Sequence, residues 1–352
     1  MDVLSRFSID SYEVNTMKKN MRIWFSALSA VVMCIIILDS KTAFLGTTAG
    51  IEICLKTVIP SLFPFLILSV LINGNLKGLN IPILRPIGRL TGIPAGCEYI
   101  LLLGLLGGYP VGAQCIADAH KNGYIDTPTA RRMLGFCSNA GPAFIFGMVG
   151  TLFVKKGVIW ALWLIHIASA ILTGLLLPGK TYKASQTQAG NPISFTGALE
   201  EGVRIMLRIC VWVIVFRILL QFLNVWFMES LPPLVQVIFV GLLELSNGCI
   251  ALQRCAEPII FVLAGCFLSF GGLCVAMQTV SATGNLSTGW YIPGKILQTT
   301  ICLGLSVLAQ FLLFDNTLPI TTSITIALIC TIIVATTHIK LIKKKKVVAI
   351  PC

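Results

Sequence analysis

The sequence has little charge. Of its 352 residues only 11% are charged, while 56% are hydrophobic and the mean hydropathy is +0.89. An ordinary soluble protein carries about 25% charged residues, so this chain has too little polar surface to cover a water-soluble fold. Histidine is scarce too, with three residues, and no two cysteines form a Cys-x-x-Cys pair. That spacing argues against zinc and iron–sulfur sites. The chain also lacks a phosphate-binding loop, a nucleophile elbow and a histidine-based metal motif. No residues support an enzyme, so no catalytic residue, cofactor or metal is expected.

Cysteine is not scarce. Most of the 13, among them Cys34, Cys54, Cys97, Cys115, Cys137, Cys210 and Cys249, fall in apolar runs. There cysteine acts as a small hydrophobe, and the number argues against an oxidising compartment.

The net charge of +12 fits either a nucleic-acid partner or the cytoplasmic excess of Lys and Arg in membrane proteins. The cations sit in short loops and tails between apolar runs, with Lys343 to Lys346 beside the last run, and no basic stripe alternates with aromatics. This favours the membrane, and no nucleic-acid partner is expected.

A spanning helix needs about 20 apolar residues. Ile23 to Leu38 follows a basic segment (Lys18, Lys19, Arg22) and has no small-residue cleavage site after it, so it reads as a retained first helix entering from the cytoplasm. Gly50 to Lys56 reads as an amphipathic lead-in, with Glu52 and Lys56 four apart. Val58 to Ile72 carries Pro60 and Pro64, which predict an irregular entry. Asn73 to Gly92 reads as a loop. Cys97 to Ala117 is interrupted by Gly107 to Gly112. Thr127 and Pro128 predict a helix start, and that helix stops at Asn139 to Pro142.

Val158 to Leu177 is a clear span. Phe195 to Phe227, Pro232 to Leu252, Pro258 to Val280, Ile296 to Phe314 and Pro319 to Thr336 follow. The expected organisation is a cytoplasmic segment (1–22), a first membrane half (23–179, core 97–177), a polar linker (180–194), a second half (195–340) and a basic cytoplasmic tail (341–352). The expected fold is an all-α polytopic transmembrane bundle of two related halves, with about eight crossings and both termini in the cytoplasm.

A repeat relates the halves. Gly104-Leu105-Leu106-Gly107 corresponds to Gly241-Leu242-Leu243-Glu244, and each is followed, after a polar turn, by a second broken apolar segment. The expected helix breaks centre on Gly108, Pro110 and Gly112, on Gly141 and Pro142, on Gly248, and on Gly271 and Gly272. Unpaired backbone groups in lipid cost several kcal/mol each, so broken helices persist only where they line a cavity or are buried in protein. Carriers use paired broken helices near the membrane midplane to bind solutes and ions. Gly and Pro are also common in membrane helices for packing alone, and four clusters in corresponding positions tip the balance towards a site.

Tyr109, Asn139, Glu244, Asn247 and Gln278 are the candidate ligand-binding residues: Tyr109 as a stacking face, the others as polar groups. An ionised side chain at mid-membrane costs roughly 3 kcal/mol or more, which singles out Glu244; Arg217 is a candidate partner for it. Glu98 and Glu257 lie near segment ends and read as interfacial. Glu200, Arg204 and Arg208 share one helix face. His166 lies mid-span and reads as a hydrogen-bonded structural histidine rather than a proton relay.

At these motifs the chain resembles a known family. Gly108-Tyr109-Pro110-Val111-Gly112-Ala113, Cys137-Ser138-Asn139-Ala140-Gly141-Pro142-Ala143-Phe144, Pro60 to Phe65 and Ser269 to Gly272 are similar to those of the sporulation integral membrane proteins of the YlbJ type, within the nucleoside-recognition (Gate) domain family. The likeness runs roughly from Gly46 to Leu303. It implies a multi-pass protein of a bacterial inner membrane, a role in spore envelope or cortex assembly, and transporter-like ancestry. The expected partners are the lipid bilayer, a small polar, nucleoside-like solute, and either further copies of the chain or spore-assembly proteins. A non-transporting scaffold that recruits such proteins is the alternative.

Overall fold

The computed structural model describes residues 22–76, 81–179, 193–314 and 318–348. The expected N-terminal segment, most of the expected linker and the last four residues lie outside the described residues. Among the described residues every regular element is helical. Five helical stretches are long and apolar enough to cross a membrane: Ser40–Leu76, Val158–Leu176, Glu257–Thr283, Tyr291–Leu313 and Ile320–Thr337. The chain is a multi-pass membrane protein, and its exposed Leu, Ile, Val, Phe and Trp side chains are what a lipid solvent requires.

The first half opens with α1 (Arg22–Leu38) and α2 (Ser40–Ile53). A π-helical turn, Cys54–Val58, joins α2 to α3 (Ile59–Leu76), which contains Pro64. The irregular entry predicted from the two prolines is present, but as this π turn inside a continuous run. The expected lead-in at 50–56 is therefore not a separate surface segment. Glu52 and Lys56 do pair, at 2.5 Å, on its exposed side.

Short α4 (Arg85–Thr91) interrupts the expected loop. Next come α5 (Tyr99–Leu106) and α6 (Val111–Lys121), which fold back on each other as a hairpin. Helix α7 (Thr127–Met133) starts one residue earlier than expected, because Asp126 rather than Thr127 is the cap, accepting from the Thr129 N–H at 3.0 Å. Residues 138–141 leave the helix, with Gly141 extended, and α8 (Pro142–Gly147) resumes the broken helix. Helix α9 (Val158–Leu176) closes the half.

The second half repeats this order. Long α10 (Phe195–Trp226), capped by Ser194, packs along α2 and α3. A second hairpin is formed by α11 (Pro233–Leu243) and α12 (Leu245–Ala251). A second broken helix is formed by α13 (Glu257–Phe270) and α14 (Gly272–Thr283), and α15 (Tyr291–Leu313) then packs on α9 and α13. Helix α16 (Ile320–Val348) packs on α15.

Pro232 to Leu252 was expected as one span broken at Asn247-Gly248. It is instead a hairpin that turns at Glu244, with Gly248 packed directly against Gly241. The first hairpin closes in the same way, with Gly104 against Gly112. The arms α11 and α12 are 11 and 7 residues long, so Pro232 to Leu252 is not one straight span.

Two buried charges anchor the outer ends. Glu98, expected at an interface, is 2% exposed and pairs with Arg85 at 2.6 Å while accepting from the Gly96 N–H at 2.7 Å. Burial is tolerated because both carboxylate oxygens are satisfied. Arg132 donates to three backbone carbonyls: Thr91 at 2.7 Å, Gly174 at 2.6 Å and Leu177 at 3.1 Å.

Candidate functional site

The hairpin turns and the helix breaks meet in the middle of the molecule. Close packing of glycines makes this possible. The carbonyl of Cys137, which leads into the break, lies where a Cβ on Gly104 or Gly112 would be, so the first broken helix packs into the seam where the two arms of the first hairpin meet. Gly108 stacks on Gly141, joining hairpin turn to break. In the second half a Cβ on Gly272 would come 3.1 Å from the Leu243 carbonyl oxygen, beside the hairpin turn. Gly271, with φ of 80°, ends α13 in the left-handed conformation that a side chain disfavours. Tyr109, at the first hairpin's turn and followed by a cis peptide bond to Pro110, crosses to the second half. Its hydroxyl donates to the Leu268 carbonyl at 3.1 Å and lies 3.4 Å from the Ser269 carbonyl.

Between these tips lies a cavity of about 40 Å³. Tyr109, Glu244, Ser246 and Gln278 give it polar walls, and Leu62, Phe144, Val213 and Val275 are among its apolar ones. Three of the five expected ligand-binding residues, Tyr109, Glu244 and Gln278, thus face one space. Glu244 is 2% exposed. Its carboxyl accepts from the backbone N–H of Ser246 at 3.0 Å and of Asn247 at 2.6 Å, and from the Asn247 side-chain amide at 2.6 Å. It is therefore the N-cap of α12 and holds the hairpin turn in shape.

Asn247 does not face the central cavity. It lines a lateral cavity of about 370 Å³ with Arg217, Asn224, Gln236 and Arg254. Among the described residues Arg217 makes no ion pair with Glu244, and its guanidinium Nε has no hydrogen-bond partner. A second lateral cavity, of about 530 Å³, runs between α3, α8 and α12 and shares Ile250 and Gln253 with the first. Helix α12 is the partition between the central cavity and both lateral ones.

Asn139 is also outside the central cavity, in a buried cluster beside it. Its side-chain oxygen accepts from Gln298 at 2.8 Å and its amide donates to the Phe136 carbonyl at 2.8 Å. The centre of that cluster is Lys295, which the sequence reading did not single out. Its ammonium donates to the Ser138 carbonyl, to Gln298 Oε1 at 2.8 Å and, more weakly, towards Asn139 Oδ1 at 3.4 Å. It lies 5.1 Å from the centre of the Tyr109 ring and 5.9 Å from that of Tyr291. Tyr291, Lys295 and Gln298 are spaced four and three apart, so they share one face of α15, and that spacing was the signal available in the sequence. His166, as expected, is buried and hydrogen-bonded, with Nδ1 3.2 Å from Ser269 Oγ.

Among curated proteins the chain is similar to the sporulation integral membrane protein YlbJ of Bacillus subtilis (strain 168), 30% identical over 154 residues, covering 42% of this chain and 36% of that protein. The match spans little more than a third of that relative's length. It bears out the likeness to the YlbJ type that the glycine- and proline-rich motifs carried. No family model matches the chain, and no solved structure matches it.

Proposed function

We propose that this chain is a carrier-like protein of a bacterial cell membrane, with both termini in the cytoplasm, which binds and moves a small polar solute in the service of spore formation. The observation that carries this reading is the meeting of four broken elements, a hairpin and a broken helix from each half, around one polar-walled cavity. Carriers place their solutes at such junctions, where helix ends offer unpaired backbone groups. The sporulation role comes from the relative's name, and the nucleoside-like character of the solute from the resemblance to the nucleoside-recognition (Gate) family.

The cavity's size says what must move. One water occupies roughly 10–15 Å³ of such volume, so about 40 Å³ holds a few water-sized groups. Pockets for drug-sized ligands run to about 300–1,000 Å³. A nucleoside-sized solute therefore enters only when a hairpin shifts, and α12, lying between the central cavity and the lateral ones, is the element whose movement would join them. The small central volume is also what favours the second reading, a non-transporting scaffold that recruits spore-assembly proteins.

Uptake separates the two. In proteoliposomes given a panel of radiolabelled nucleosides, the carrier reading expects counterflow by the unmodified chain. Gln278→Leu and Glu244→Leu should abolish it while the protein still inserts. Undiminished uptake by both variants would rule out the proposed site.

A further inference from the structure

We propose that Lys295 is a resident cation: its ammonium fills an oxygen cage at the break of the first broken helix, and when the side chain is removed that cage takes up a free monovalent cation in its place. This deepens the carrier reading, on which its functional meaning rests.

The cage is built. Lys295 is completely buried, and an ammonium carries three donors and no acceptor. Its acceptors are all neutral oxygens: the Ser138 carbonyl, Gln298 Oε1 and Asn139 Oδ1. Among the described residues no carboxylate lies at ion-pair distance from it. A buried lysine without a counter-ion needs oriented dipoles to compensate it. Two of these dipoles are held by the fold itself. Ser138 lies in the break, where its carbonyl is not part of a helical ladder. Asn139 Oδ1 is aimed by two further bonds, to Gln298 Nε2 and from its own amide to the Phe136 carbonyl. The rings of Tyr109 and Tyr291 add cation–π attraction.

Neutral carbonyl and amide oxygens at an unwound helix are what carriers of broken-helix design offer to Na⁺. Here the charge is supplied by a side chain of the other half, since Lys295 is on α15 and Ser138 and Asn139 are on the first half's break. The ammonium also lies against the ring of Tyr109, which itself lines the solute cavity. An ammonium at this position makes a dissolved coupling metal unnecessary there. It also ties the two halves together at the point where the cavity is formed.

The test uses the full-length chain in detergent, melted in NaCl, KCl, choline chloride or methylammonium chloride at equal ionic strength, with no solute. The unmodified protein is expected to melt at the same temperature in all four. Lys295→Ala should melt about 10 °C lower in choline, as expected when buried polar groups lose their charged partner. It should recover in a saturable manner with methylammonium or with an alkali cation small enough to enter. Lys295→Met fills the stem's volume without charge and should not recover.

Should Lys295→Ala be too unstable to purify in choline, recovery of monodisperse protein only when it is extracted in methylammonium or an alkali salt counts as rescue. Three results would overturn the proposal: no recovery in any salt, equal recovery by Lys295→Met, or a wild-type melt that depends on one alkali cation. Failed solute uptake would leave these melts unaffected, and a failed rescue would leave the solute site standing, so the two readings fail separately.

Discussion

Gly112→Val is expected to yield no folded, monodisperse protein on extraction from the membrane. A Cβ at Gly112 would overlap the carbonyl of Cys137 and come 3.0 Å from Ser138 Cα. These are backbone atoms of the break itself, not the end of a flexible side chain. Relief requires prising the first hairpin off the broken helix packed on it. A Cβ at Gly104 would meet the same carbonyl, so the oxygen already rests on both arms. Ordinary overpacking costs about 1–3 kcal/mol; here the displaced group is backbone in a membrane interior and the loss should exceed that. Gly147→Ala is the control, because nothing lies within 4 Å of its would-be Cβ and alanine is the better helix former. Size-exclusion profiles of detergent extracts decide: a Gly112→Val profile matching that of Gly147→Ala would refute this packing.

Arg132→Met should be the most damaging loss of a single polar side chain outside the candidate site. Its guanidinium caps two helix C-termini at once, α9 through Gly174 and Leu177, and α4 through Thr91. Last-turn carbonyls have no helical partners and sit at the negative end of the helix dipole, so a cation there is doubly favoured. Removing it orphans three acceptors in a largely buried place, at a cost of about 3–5 kcal/mol. Arg132→Lys should fall between the two, because one ammonium cannot reproduce the planar fork. Thermal melts should rank wild type above Arg132→Lys and Arg132→Lys above Arg132→Met. A Met variant that melts with the wild type would show that the three bonds contribute nothing net.

Apolar periodicity made most of the helices legible, and Gly/Pro punctuation located the breaks at Gly108–Gly112, Gly141-Pro142 and Gly271-Gly272. The second hairpin was harder to read because its turn, Leu243-Glu244-Leu245, contains no turn-forming residue. There the bend is held by the Glu244 carboxyl capping α12 and by Gly241 meeting Gly248, a contact seven residues apart that periodicity cannot show. Lys295 escaped notice for a related reason. The apolar run begins at Ile296, which leaves the lysine at an apparent membrane edge, where long cations snorkel. Only the packing of α15 on the first half shows that it is fully buried. Asn139 lies in the first break and Asn247 inside α12, just past the hairpin turn, and which way each amide faces is a tertiary property.

The central claim is that the junction of hairpins and breaks is a site that opens to water. Ser246 lines the central cavity. With the native cysteines replaced by alanine, Ser246→Cys can be probed with a membrane-impermeant maleimide in right-side-out and in inverted vesicles, with Ile100→Cys, fully buried in the core, as the unreactive reference. Labelling of Ser246→Cys from at least one face, and protection by a transported nucleoside, is the predicted result. A Ser246→Cys as unreactive as Ile100→Cys from both faces would contradict it and leave the junction a sealed structural core.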